Sequence, residues 1–340
     1  MRRFLLFVAI GILIAGALDQ ISKSVPPAAR LVFLGMLHHA SDIEALTVGT
    51  SISTAVDFPT WGAPGWHMWT PGSDLLENEY MVRTAAPALP KLRVVFIAVP
   101  PVAFQWLSTA RGAPEVRRQQ YLATGPLLSN GTIDHDWRDL AIAWALPLIR
   151  DDQWRDPIAD GLVQTGLRVE QPSTLMTREG RWLPLTTAAN IDARAAAARR
   201  SAPTVFGGVL ATLAADPDAP RRLAMAPGRI ARFLGARGVR AVFYTPPVAP
   251  EYEAIFDRQR PREITDARVE MRRIAAQQGL IYVDLSRDPA LVAALNGLFY
   301  DPLHLTVAGA SVFTARLRQE LQARHALDPM TPSVQREPPQ

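Results

Sequence analysis

The chain has 340 residues, 48% of them hydrophobic, with a formal net charge of +4 and no cysteine. The length allows one large domain or two ordinary ones, and the apolar content suits a buried core and falls short of a multi-span membrane protein. Without cysteine there is no disulfide, thiolate metal site or cysteine nucleophile, and the arginines (Lys23 and Lys91 are the only lysines) are too scattered to form the basic stripe that a nucleic-acid partner requires.

At the start, Arg2 and Arg3 precede an unbroken apolar run from Phe4 to Leu18. A positive start followed by such a run is an export signal. The run is shorter than the roughly 20 residues that span a bilayer comfortably, and Ala15-Gly16-Ala17 resembles a signal-peptidase site. Residues 1–25 therefore read as a cleaved signal peptide or as an uncleaved N-terminal membrane anchor, with a buried N-terminal helix as the third reading. Positive charge stays on the cytoplasmic side, so signal and anchor alike predict a periplasmic or otherwise extracytoplasmic protein. The anchor would tether it to the inner membrane.

Residues 20–40 read as a tether with a short apolar segment, "LVFLGML". The first strand is expected at about Ala45–Gly49. The following "FPTWGAPGWHMWTPG" is too rich in turn formers to be regular, and a helix is expected over 74–86. "LRVVFIAV", residues 92–99, is a continuous apolar run of strand length, stopped by Pro100-Pro101. "VRAVFYT", 239–245, stopped by Pro246-Pro247, and "LIYVDLS", 280–286, repeat the pattern. Between them "REITDARVEMRRIAAQQG" is a charged helix ending in glycine. In the last helix Val307, Ala310, Phe313, Leu317 and Leu321 recur at helical spacing. The proline-rich residues 326–340 read as a disordered tail.

Buried strands alternating with helices predict an α/β fold: a parallel sheet covered on both faces. Its ligand crevice should lie outside the carboxyl ends of the strands, so Ser51, Pro100-Pro101, Pro246-Pro247 and Ser286 should share one rim. Residues 105–235 interrupt the pattern with helical pieces such as "WRDLAIAWALPLI", "IDARAAAARRSA" and "PTVFGGVLATLAA". They read as a mostly helical insertion capping the rim. The α/β domain is then 41–104 joined to 236–325.

"TVGTSIS", residues 47–53, puts small residues where the first strand should end. It reads as a plain turn or as a nucleophilic serine, Ser51, which needs a base and an orienter. Of the six histidines, His38 and His39 lie near the tether and His325 ends the last helix. His304 follows Asp301 by three residues on a loop, a spacing that lets the carboxylate reach Nδ1 and leaves Nε2 facing a serine. A structural Asp-His pair capping the helix is the alternative. His135 stands between Asp134 and Asp136, but no second ligand cluster accompanies it, so a turn is favoured over a metal site and no metal or other cofactor is expected. His67, in "GWHMW", either lines a substrate pocket or packs in the core.

Gly49-Thr50-Ser51 at a strand end and Asp301-Pro302-Leu303-His304 before the last helix resemble, as a pair and in this order, the end motifs of the SGNH, or GDSL-like, hydrolase and acyltransferase superfamily. The resemblance covers about residues 42–104 and 236–324. It implies a flavodoxin-like doubly wound sheet and a triad of Ser51, His304 and Asp301. It also implies an oxyanion hole made of the Ser51 amide and a glycine amide, from Gly72 or alternatively Gly62 or Gly65. The family's aspartate before the serine is Thr50 here, and its oxyanion asparagine is absent: Pro100, Pro101 and Val102 stand in its place. Trp66, His67, Pro101 and Val102 are candidates for the substrate pocket. Both departures are similar to the membrane-anchored acyl-transfer proteins of cell-envelope polymers, which often work beside a membrane-bound O-acyltransferase. The Ser-first order is unlike the alginate acetylation branch. The resemblance implies an exported O-acyltransferase, acetyl transfer included, or an esterase, acting on a glycan or other ester. The alternative is a non-catalytic scaffold that partners a membrane acyltransferase.

Overall fold

The computed structural model describes residues 28–69, 72–107 and 185–326. The expected N-terminal signal or anchor, His135 with its flanking acids, the piece "WRDLAIAWALPLI" and the tail after 326 lie outside the described residues. Among the described residues, no helix is long and apolar enough to cross a membrane.

Five strands form one sheet: β1 (Ala45–Gly49), β2 (Gly65–Trp69), β3 (Val94–Ala98), β4 (Arg240–Thr245) and β5 (Ile281–Asp284). They are all parallel, in the order β2-β1-β3-β4-β5. β1 and β3 are buried along their whole length, which is why their sequences are continuous apolar runs. The edge strands β2 and β5 are only partly buried.

Helices cover both faces. One face is packed by α1 (Ala28–His38), α3 (Leu75–Ala85), α5 (Ala219–Gly235) and α7 (Ala267–Gln278), through Met36, Val82, Ile230, Met271 and the strand residues Leu46, Val95, Ile97 and Phe243. The other is packed by a 3-10 helix (Ser51–Ala55), the one-turn helix α2 (Phe58–Trp61), α8 (Pro289–Ala294) and α9 (Val307–Ala323). On α9, Ala310, Phe313, Leu317 and Leu321 of the expected stripe are buried, whereas Val307 in its first turn is exposed. A third cluster lies between α4 (Ile191–Ala215) and α6 (Pro250–Gln259), around Ala198, Ala202, Phe206 and Phe256.

Three elements differ from the sequence expectation. The supposed irregular stretch 58–72 contains α2 and β2; Gly62, in the left-handed conformation at φ 85°, ends α2, and the strand begins three residues later. The tether becomes α1, whose Val32, Phe33 and Met36 are buried. The expected capping insertion also ends early. α4 runs unbroken through Pro203 and packs on α6, but α5 packs on α3 and β4 and so belongs to the sheet's helical layer.

The chain passes from β1 outward to β2, then returns across β1 to β3. Strand order therefore reverses between β1 and β3, the point at whose carboxyl ends open α/β sheets bind their ligands.

Candidate active site

Ser51 stands at that reversal point, immediately after β1. Gly49 ends the strand at φ 149°, and a Cβ there would meet the side chains of Ser53 at 3.3 Å and Ala98 at 3.4 Å. Glycine allows both the backbone angle and the close approach to β3. Thr50 is extended, and its carbonyl accepts from the Ser53 amide at 2.9 Å. Ser51 thus opens a 3-10 helix, where the first amides have no acceptor within the helix.

His304 and Asp301 sit on the loop leading into α9. Phe299 and Leu305 form an isolated antiparallel bridge across its base, and the Tyr300 amide donates to the His304 carbonyl at 2.8 Å. Inside it, Asp301 Oδ1 accepts from the amides of Leu303 and His304, both at 2.8 Å. This is the local side-chain-to-backbone turn that aspartate favours. It leaves Oδ2 to meet His304 Nδ1 at 2.7 Å, while His304 Nε2 lies 2.7 Å from Ser51 Oγ. Burial works against ionising Asp301, but the hydrogen bonds and charge of His304 and the two amides hold its carboxyl below the usual carboxylate range. With Nδ1–H donating to this carboxylate, Nε2 is left as the acceptor for the serine proton.

The structure separates the three candidate oxyanion glycines. Gly65 pairs with Ala45 at the amino end of the sheet, and Gly62 precedes it, so both lie opposite the Ser51 rim. Gly72 follows the carboxyl end of β2, whose Trp69 pairs with Gly49. Its backbone is left-handed at φ 66°. A residue that sequence reasoning missed fixes it: Trp106 donates its indole N–H to the Gly72 carbonyl at 2.8 Å. The ring fits against α4 because position 208 is glycine; a Cβ there would come within 2.4 Å of it. No motif flags Trp106, which lies eight residues beyond the end of β3. Gly72 is followed by α3, capped reciprocally by Asp74 and Glu77.

Arg194 was also missed. It is 2% exposed, pairs with Glu251 at 3.0 Å and donates to the Ala189 carbonyl at 2.9 Å. The Ala189 amide in turn donates to Phe299 O at 3.0 Å, and the Val307 amide donates to Leu185 O at 2.8 Å. Residues 185–190 are thereby strapped along the Asp301–His304 loop.

The four expected pocket residues are not together. Trp66 and His67 border a cavity of about 710 Å³ along β2. Val102 is 8% exposed and closed into the cluster with Ala198 and Phe206, and the carbonyl of Pro101 binds the Ala267 amide at 2.8 Å. Neither lines that cavity, because the segment after β3 turns toward α4 and α7. Val102 thus offers no polar group where an oxyanion asparagine would stand. Of the other rim residues, Ser286 is buried, its hydroxyl bonded to Asp284 at 2.6 Å and to Arg268 at 3.2 Å.

His67 Nδ1 lies 2.8 Å from Thr47 Oγ1, its register partner on β1. Burial pushes its imidazole down to about 4, against the pull of the Asp57 carboxylate. It is therefore neutral near pH 7. Among the described residues, no group of three or more histidine or acidic side chains is placed to hold a metal ion.

The arrangement can take a proton from Ser51 and return it elsewhere. No protein-family model matches the chain, and no curated protein matches it.

Proposed function

We propose that this is an exported serine-dependent acyl-ester enzyme of the SGNH type, an O-acyltransferase or esterase acting on a cell-envelope glycan or another ester. One observation carries the reading: the unbroken chain Asp301–His304–Ser51, with 2.7 Å at each link, at the reversal point of a parallel sheet. The strand order β2-β1-β3-β4-β5 is that of flavodoxin-like sheets, which supports the fold the motifs imply. The apolar run behind Arg2 and Arg3 supports an extracytoplasmic site of action, tethered to the membrane or released from it.

In this reading Ser51 Oγ bonds to the ester carbonyl carbon as its proton passes to His304 Nε2. Asp301 stabilises the imidazolium and holds its orientation. The amides of Ser51 and Gly72 receive the oxyanion. Collapse of the tetrahedral intermediate breaks the bond to the leaving alcohol, which takes the proton from His304. Water or a glycan hydroxyl then attacks the acyl-enzyme, gives its proton to His304, and Ser51 departs with it. Loss of one oxyanion donor costs about 10²- to 10³-fold in rate, so the hole without asparagine suits an activated acyl donor handed over by a membrane-bound O-acyltransferase.

The test is labelling of the full-length protein by a fluorophosphonate probe, with turnover of p-nitrophenyl acetate. Both are expected for the wild type and lost in Ser51→Ala. Labelling that survives this substitution would refute the reading. Absence of both activities in the wild type would favour the second reading, a scaffold for a membrane acyltransferase, which the buried Val102 supports.

A further inference from the structure

The loop that carries Asp301 and His304 is held by two backbone bonds from outside it. The Ala189 amide donates to the Phe299 carbonyl at 3.0 Å. The amide of Ala249, just before α6, donates to the carbonyl of Pro302 at 2.9 Å. Both supports meet at one side chain. Arg194, in the first turn of α4, donates Nη1 to the Ala189 carbonyl at 2.9 Å and Nη2 to Glu251 Oε1, in the first turn of α6, at 3.0 Å. Its guanidinium carbon also lies 5.9 Å from the centroid of the Phe299 ring, within reach of a cation–π contact.

Packing alone does not fix the loop on this side. Asp301 and Pro302 border a hollow of about 380 Å³ whose other lining residues include Ala188, Ala193 and Ala197. Alanine side chains are too short to fill it. A buried arginine is also a costly way to join two helices, because packed hydrocarbon serves as well or better than a buried ion pair. What hydrocarbon cannot supply is a donor to the Ala189 carbonyl. A guanidinium can, since its planar fork offers several donors at once and binds the Glu251 carboxylate and the carbonyl together.

We propose that Arg194 is a positioning residue for the triad. Acting through residues 185–190 and through Glu251, it sets where the Asp301–His304 loop stands, and with it the tautomer of His304 and its reach to Ser51. The inference rests on the catalytic reading of Ser51, and the two are separable by experiment. In the full-length protein the ion pair is replaced by hydrocarbon, Arg194→Met with Glu251→Leu, an exchange expected to keep or raise the thermal midpoint. On p-nitrophenyl acetate kcat should nevertheless fall about tenfold to 10²-fold with KM little changed, because a misplaced base slows the chemical step and not substrate binding. Arg229→Ala, which breaks a pair in the helical layer on the opposite face of the sheet, is the control: its midpoint should drop while kcat stays. The second readout is independent of turnover. The nitrogen-15 shifts of the His304 ring, assigned against His304→Gln, should show the Nδ1–H tautomer that Asp301 selects in the wild type and a mixture with Nε2–H in the double variant. Arg194→Lys has one nitrogen for two acceptors, so it should move both readouts in the same direction by less. Wild-type kcat with an unmixed tautomer in the folded double variant would overturn the proposal; should that variant not fold, the same result in Arg194→Lys would do so. A mixed tautomer in the double variant of a protein that turns over no ester keeps the positioning role and removes the catalytic reading.

Discussion

Replacing Asp301 by asparagine should invert the tautomer of His304. Oδ1 of Asp301 holds two backbone amides, those of Leu303 and His304, both at 2.8 Å. An asparagine NH₂ cannot accept them, so the amide carbonyl must take the Oδ1 place and the NH₂ must face His304 Nδ1. The opposite flip strands two N–H groups, at about 1–3 kcal/mol each. Nδ1 then has to accept, its proton moves to Nε2, and Nε2–H donates to Ser51 instead of receiving its proton. A catalytic histidine locked in the wrong tautomer costs about 10⁴-fold in kcat, close to 5 kcal/mol. The assay is kcat on p-nitrophenyl acetate for the full-length variant, beside its thermal midpoint to show that the loop still folds. An asparagine variant with the wild-type midpoint and more than about a tenth of the wild-type kcat would refute His304 as the base.

Trp106→Phe keeps the ring but releases the Gly72 carbonyl; kcat should fall between about tenfold and 10²-fold with KM little changed, read by steady-state kinetics. His67 binds its proton at 6.5 when unfolded and at about 4 when folded, so the unfolded state takes up more protons in that interval and stability drops as pH falls through it. Urea titrations at pH 7, 5.5 and 4 should show the wild type losing about 3 kcal/mol relative to His67→Gln. Glu79 is fully buried and meets Arg229 at 2.7 Å and Arg83 at 3.0 Å. Arg229→Ala should cost about 3 kcal/mol in urea, and Glu79→Leu combined with Arg229→Met should recover most of it, because breaking a buried pair is worse than replacing it with packed hydrocarbon.

How legible each part was depended on the range of the interaction behind it. β3 and β4 are apolar runs closed by Pro-Pro, a wholly local signal, and they lie within two residues of the expected limits. The Asp301–His304 contact spans three residues and could be read from spacing alone. The contact of His304 with Ser51 spans 253 residues; it was legible through the pair of end motifs, with the strand pattern adding a common rim for Ser51. Gly72 was preferred to Gly62 and Gly65 through the family resemblance, but the physical reason needed β2, since the strand decides which glycines fall at which end. Trp106 and Arg194 act through a glycine carbonyl and a returning segment, and neither relation leaves a spacing in the sequence. Even α1 was hidden, because Val32 and Met36 look alike in a tether and in a core helix.

β2 explains why the hidden part matters most. Its alternation sends Trp66 and Met68 to the face of α1 and α3 and leaves His67 on the face of α9. An edge strand needs only one bonded neighbour, so it tolerates the glycine and proline that precede it, and those same residues disguised it as a loop. Its presence makes β1 an interior strand. Ser51 then emerges from within the sheet at the reversal point instead of at an open corner. Among the described residues no further strand pairs with the outer edge of β2, and the cavity bordered by Trp66 and His67 lies along it. The setting of Ser51 thus depends on a five-residue strand that, among the described residues, pairs with β1 alone.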